Sequence, residues 1–103
     1  MLIDLRELQK IVYQNKIQKG FNTTDINLEF CLAYTELSEA YNAYIKKEAG
    51  LGEELADVAI YLLGLAEILG IDLEKEILSK IEKNEKRTYT KNPDGTWSKT
   101  EGK

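Results

Sequence analysis

Four carboxylates in this chain have the type and spacing to hold a divalent cation. They are Glu36 and Glu39 in EFCLAYTELSEA, and Glu54 and Asp57 in GLGEELADVAIYLLG. Each pair is spaced i, i+3 within apolar-periodic, helix-like sequence, so each projects from one side of its helix. Residues 39 and 54 share their midpoint with residues 36 and 57. In an antiparallel helical hairpin, Glu39 then faces Glu54 and Glu36 faces Asp57, so four carboxylates meet at one level between two helices. Uncompensated, such a cluster repels itself: like charges near 4 Å cost about 4 kcal/mol at an effective dielectric of roughly 20. A cation belongs there, and an oxygen-only donor set points to Mg²⁺ or Mn²⁺.

An ExxE on a helix of an acidic chain is ordinarily a solvated face. The neighbours argue otherwise. Glu36 and Glu39 are set among Leu32, Ala33, Leu37 and Ala40, and Glu54 and Asp57 among Leu55, Ala56, Val58 and Ile60. Acidic groups with core-type neighbours on two adjacent helices are costly to bury unpaired. A salt-bridge network is the structural alternative, but nothing in the spacing of Lys10, Lys46 and Lys47 matches both pairs. Glu29, Glu48 and Glu53 read as surface residues, Glu53 being near enough for an outer contact. Further on, Lys80, Asn84 and Arg87 fall at i, i+4 and i+7. That stripe reads as a solvated basic helix end complementing the macrodipole. Beside a carboxylate metal site it reads instead as donors to phosphate oxygens.

The elements that must position these groups are mostly helical. Residues 2–18 place Leu2, Leu5, Leu8 and Val12 on one stripe, with Ile11 at its edge, and Gly20 caps the segment. Asn22 to Asp25 supply turn and N-cap residues for a helix over about 26–48. Ala49 to Gly52 make the connection, and a third helix over 53–69, apolar on most sides, takes a central position. Gly70 stops it, and Asp72 caps a fourth helix running through ILSKIEKNEKR. The tail alternates β-formers around Asn-Pro-Asp-Gly, with Pro93 and Gly95 suited to a tight turn, so a short hairpin is expected. Glu101 to Lys103 are expected to fray.

Composition narrows the chemistry. At 103 residues the chain is one domain whose small core invites self-association. With no histidine, the usual neutral-pH base and zinc ligand are missing. The single cysteine, Cys31, forms no intrachain disulfide; it reads as a core residue and suits a reducing cytoplasm. There is no charged-then-apolar leader, and no apolar run approaches the roughly 18 residues of a membrane span. The net charge of −4 without a basic stripe argues against nucleic-acid binding.

Together these features resemble the MazG-like family of all-α nucleoside triphosphate pyrophosphohydrolases, whose hallmark is ExxE, a variable spacer, then ExxD. Here it reads Glu36-Leu-Ser-Glu39, fourteen residues, then Glu54-Leu-Ala-Asp57. The stretch from Ser79 to Tyr89 is similar to the family's later basic segment, and Lys19-Gly20-Phe21 to a region contributing to its nucleobase pocket. The resemblance implies an all-α bundle of about four helices completed by dimerisation, as a homodimer or homotetramer, with a short C-terminal β-hairpin. A MazG-like helical domain is expected over 1–90, with the hairpin and tail over 91–103. The activity implied is cleavage of a (d)NTP to the monophosphate and pyrophosphate. Mg²⁺, or Mn²⁺, would be held by Glu36, Glu39, Glu54 and Asp57. Glu36 or Glu39 would orient or deprotonate the attacking water. Lys80, Asn84 and Arg87 would bind phosphate, and Phe21, Asn15 and Asn22 would meet the base. The rival reading is a non-enzymatic oligomerisation or partner-binding protein with a vestigial acidic site.

Overall fold

The computed structural model describes residues 2–100, so the expected frayed end, Glu101 to Lys103, lies outside the described residues. The chain divides into two compact units, one up to Leu73 and one from Glu74 onward.

The first unit carries three helices, α1 (Leu5–Lys19), α2 (Ile26–Ile45) and α3 (Leu51–Ile68). Polar caps start the first two. Asp4 accepts from the Glu7 N–H at 3.0 Å, and Asp25 from the Leu28 N–H at 3.0 Å. Each satisfies one amide that the helix geometry leaves without a partner. At the end of α1, Gly20 turns left-handed at φ 73°, its N–H bonding Ile17 O while the Phe21 N–H bonds Lys16 O. This is the Schellman closure. Gly70 ends α3 in the same way.

The end of α2 departs from expectation. The same closure forms around Lys47, at φ 55°, with the Lys47 N–H on Tyr44 O and the Glu48 N–H on Ala43 O. The helix therefore stops at Ile45 rather than near residue 48, and Gly52 lies inside α3 instead of in the connection. A non-glycine stop carries no glycine signal. Its effect is to move the turn toward the shared midpoint of the two acidic pairs.

Helix α3 is central in this unit, packing on both α1 and α2. Its buried run Leu63, Gly64, Leu65 and Ala66 meets a core to which α2 contributes Ala40 and Ala43. The buried side of α1 is not the expected stripe. Gln9 and Lys16 are its buried residues, Leu5 and Val12 are half-buried, and Leu2, Leu8 and Ile11 are exposed. The four inward positions follow a 4-3-4 spacing that the apolar pattern hides, because two of them are polar. Gln9 is usable there because both of its polar side-chain atoms are bonded. Its Nε2 donates to Glu67 Oε1 at 2.9 Å and to Ile71 O at 2.6 Å, and its Oε1 accepts from the Leu73 N–H. Arg6 Nη1 also reaches Glu67 Oε1 at 2.7 Å.

Gly64 explains how a lysine fits beside this core. A Cβ at position 64 would stand 2.6 Å from Lys16 Cε and 3.3 Å from Val12 Cγ1. Glycine inside a helix is worth about 1 kcal/mol less than alanine, and here its bare backbone makes room for the lysine stem. Cys31, expected in the core, is exposed. Its position lies on the side of α2 opposite Glu36, away from α3.

The second unit holds α4 from Glu74 on (Leu73–Glu85) and an antiparallel hairpin, β1 (Thr88–Lys91) with β2 (Trp97–Thr100). Thr88 pairs with Thr100 and Lys91 with Trp97. Asp94 fixes the turn by accepting from the Thr96 N–H at 2.9 Å and the Thr96 hydroxyl at 2.6 Å. Those bonds hold its carboxyl below the usual range. None of α4 is buried, and Ile77, Leu78 and Ile81 are exposed. The expected all-α bundle with a terminal hairpin is thus present. No described helix is long and apolar enough to cross a membrane.

Candidate metal centre and adjoining cavity

The α2–α3 hairpin brings three of the four expected ligands together. One carboxylate oxygen each from Glu36, Glu54 and Asp57 lies within 4.8 Å of the others, and all three residues are half-buried. Glu39 stands outside this trio and is exposed. It is still close enough for its charge to act on the Glu36 carboxyl. Among the described residues none of the four is paired with a lysine or arginine, whereas Arg6 pairs with Glu67, Lys16 with Glu29 and Lys86 with Glu82.

The electrostatics follow from that crowding. Partial burial, then the charges of Glu39 and Asp57, hold the Glu36 carboxyl above its ordinary value, with Glu54 adding to the effect. Glu54 is raised in the same way, by desolvation first and then by Glu39 and Asp57. Like charges gathered without a counter-charge disfavour ionisation. The donor set fits a hard divalent cation. Such an ion takes oxygen donors and carboxylate charge, and Glu36, Glu54 and Asp57 would hold it.

A second constellation lies one helical step away. Lys16 of α1 forms an ion pair with Glu29 of α2, the two side chains being only 8% and 2% exposed. Asn22 Nδ2 donates to the other Glu29 oxygen at 3.2 Å. The Lys16 ammonium also sits 4.9 Å from the centre of the Tyr61 ring. Tyr61 joins this group to the acidic one: its hydroxyl is held above the ordinary value by burial, then by the charges of Glu36, Glu29 and Asp57. Glu29 is thus no surface residue, contrary to the expectation from its sequence. It lies two helical turns before Glu36 on the same face of α2. Tyr61 likewise follows Asp57 by one turn. Those intervals from the acidic motif were the available signal for both.

Two small cavities flank the pair, of about 80 and 280 Å³. Lys16, Phe21 and Tyr61 line both, Asn15 the smaller, and Asn22 and Glu29 the larger. The three residues expected to meet a base therefore surround this space. Asn22 is also engaged in the turn before α2, with its Nδ2 on Asp25 O and its Oδ1 accepting from the Asp25 N–H. Of the basic stripe, Lys80 and Asn84 lie on α4, whereas Arg87 falls beyond the helix end, where its Nη1 donates to Asn84 Oδ1 at 2.9 Å.

A helical hairpin presenting ExxE on one arm and ExxD on the other, with carboxylates converging, defines a class of acidic metal-binding helical proteins. The MazG-like family model matches residues 28–100, and the chain belongs to that family. It is 39% identical over 67 residues to dCTP pyrophosphatase 1 of Rattus norvegicus, a match covering 54% of this chain and 39% of that protein. The chain thus spans about two-fifths of the length of that relative. No solved structure matches it.

Proposed function

We propose that this protein is a Mg²⁺-dependent nucleoside triphosphate pyrophosphohydrolase, with Mn²⁺ able to substitute, cleaving a (d)NTP to the (d)NMP and pyrophosphate. The observation that carries this reading is the convergence of Glu36, Glu54 and Asp57 within 4.8 Å, with no lysine or arginine paired to them among the described residues. Membership of the MazG-like family and the likeness to a dCTP pyrophosphatase support the reaction class.

Glu36, Glu54 and Asp57 would hold the ion. When bound, it supplies Lewis-acid polarisation of phosphate oxygens and offsets the charge of the protein and substrate. Glu39, exposed and outside the trio, would orient the attacking water and take its proton at a carboxylate oxygen, with Glu36 the other candidate. Attack at the α-phosphorus breaks the bond to the α–β bridging oxygen, and pyrophosphate leaves with that oxygen. Lys80, Asn84 and Arg87 have the chemistry to meet phosphate, two cations and an amide. Phe21, Asn15 and Asn22 are assigned to the base.

A homodimer or homotetramer is part of the proposal. Tyr34, Leu37, Tyr41 and Tyr44 of α2 and Leu55 and Leu62 of α3 are exposed. Leu37 lies in both of the apolar grooves that these residues line, and an exposed apolar face of this kind marks an interface. A reducing cytoplasm suits the lone, exposed Cys31.

The test is pyrophosphate release from the eight standard (d)NTPs and modified ones, dCTP first, with Mg²⁺, Mn²⁺ or EDTA. Metal-dependent release from a subset is expected. Silence across the panel from folded, metal-binding protein would leave the non-enzymatic binding role instead.

A further inference from the structure

We propose that the buried Lys16–Glu29 pair is the base-reading element of the nucleotide site. Glu29 accepts from, and Lys16 donates to, the polar edge of a nucleobase held against Phe21 and Tyr61. The inference rests on the triphosphate reading above and adds the residues that decide selectivity.

Three observations converge. First, the pair lies in the wall of the 280 Å³ cavity, which the rings of Phe21 and Tyr61 also line. It presents a carboxylate beside an ammonium where the rest of the lining is largely apolar. A base edge carries the same alternation of donor and acceptor, and aromatic rings in the same wall give its faces something to stack on. Second, the cavity follows the same helix faces as the acidic cluster: Glu29 stands two turns before Glu36 on α2 and Tyr61 one turn after Asp57 on α3, and the charges of Glu36 and Asp57 as well as Glu29 act on the Tyr61 hydroxyl. A nucleotide with phosphates at the carboxylates would therefore have its base on this side. Third, the pair is maintained against two penalties. Buried ion pairs can often be replaced by apolar residues without loss of stability. Gly64 is moreover kept bare inside a helix, where a Cβ would stand 2.6 Å from Lys16 Cε. Packing alone would favour an apolar residue at 16 and alanine at 64.

The test is the selectivity profile, kcat/KM over the dNTP panel, for the wild type, Glu29→Gln and the double variant Lys16→Met/Glu29→Leu. The double variant leaves no unpaired charge and is expected to fold; thermal melting checks that, and Glu29→Gln decides alone if it does not. Mn²⁺ binding without nucleotide, followed by calorimetry, serves as the control on the acidic cluster. We expect the ratio of the best substrate to its competitors to fall roughly tenfold or more, since a site that hydrogen-bonds a substrate group discriminates far more strongly than an apolar one. Mn²⁺ binding should stay unchanged. An equal loss of rate on every base, with the preference intact, would assign the pair to folding alone and overturn the proposal. So would a wild type indifferent to the base. A wild type inactive on every triphosphate would instead sink the functional reading, and this inference with it, before any variant is compared.

Discussion

Glu36→Gln should make the metal-free protein more stable and remove its response to Mg²⁺. A Glu36 oxygen lies within 4.8 Å of one from Asp57. At that distance two unit charges repel by about 0.9 kcal/mol in water and about 3.5 kcal/mol at an effective dielectric of 20. Both groups are half-buried and reached by salt, so the lower figure applies, and roughly 1 kcal/mol should be recovered from this contact. The amide keeps the shape and removes the charge. For a domain of this size, about 1 kcal/mol raises Tm by about 4–8 °C. Mg²⁺ reverses the order. At a hundred times Kd the wild type gains about 2.7 kcal/mol, while the variant, lacking one of three gathered ligands, gains little. Scanning calorimetry in EDTA and in Mg²⁺ reads both effects, and high salt should narrow the gap in EDTA. A variant less stable than the wild type in EDTA, or equal stabilisation of both by Mg²⁺, would refute the repulsive-cluster reasoning.

The pH dependence has a definite sign. Glu36 and Glu54 sit above the ordinary 4.5 in the folded chain. Between 4.5 and those raised values the folded state binds more protons than the unfolded one. Their contribution therefore weakens as pH rises through that window and is flat above it. Melting in EDTA from pH 7.5 toward 5 should show their share of stability increasing, with the benefit of Mg²⁺ shrinking in parallel; a growing Mg²⁺ benefit would contradict this. Lys47→Gly should stabilise by up to about 1 kcal/mol, because Lys47 adopts φ 55° and glycine does so without steric penalty; chemical denaturation reads it. Gly64→Ala should do the opposite. The helix-propensity gain of about 1 kcal/mol is outweighed by overpacking of roughly 1–3 kcal/mol against a lysine pinned by Glu29; a higher Tm would show that Lys16 moves freely. Leu37→Glu, in the exposed apolar face, should shift sedimentation toward monomer.

Much of this fold was legible because local rules and the global arrangement agree. Asp25 and Gly20 stand where a helix start and stop need them, and Asp94-Gly95 closes the hairpin. The facing of the acidic pairs was readable from their common midpoint, since an antiparallel hairpin converts sequence symmetry into proximity. What stayed hidden was hidden for physical reasons. The stop at Lys47 uses a residue with no preference for its conformation. The inward face of α1 was obscured because Gln9 and Lys16 occupy it, and a hydrophobic pattern cannot anticipate polar groups whose partners lie 13 to 64 residues away. Glu29 looked like a surface residue for the same cause. Its burial follows from Lys16, and that pairing exists only once α1 and α2 are assembled.

The placement of charge in the first unit separates two tasks. A chain selected for stability alone would set a buried cation against the carboxylates that most need one. Lys16 instead neutralises Glu29, and Glu36, Glu54 and Asp57 keep their mutual repulsion. Tyr61 feels both groups, its hydroxyl raised by burial and then by carboxylates from each. One group is locally neutral and can hydrogen-bond an uncharged ring; the other is strongly negative and calls for an external cation. On the proposed reading, these are the two ends of a nucleoside triphosphate. A neutral base meets a paired donor and acceptor, and a polyphosphate meets the ion that the carboxylates hold. Binding of metal and nucleotide should then be cooperative, because the cation that relieves the cluster also removes its repulsion toward phosphate.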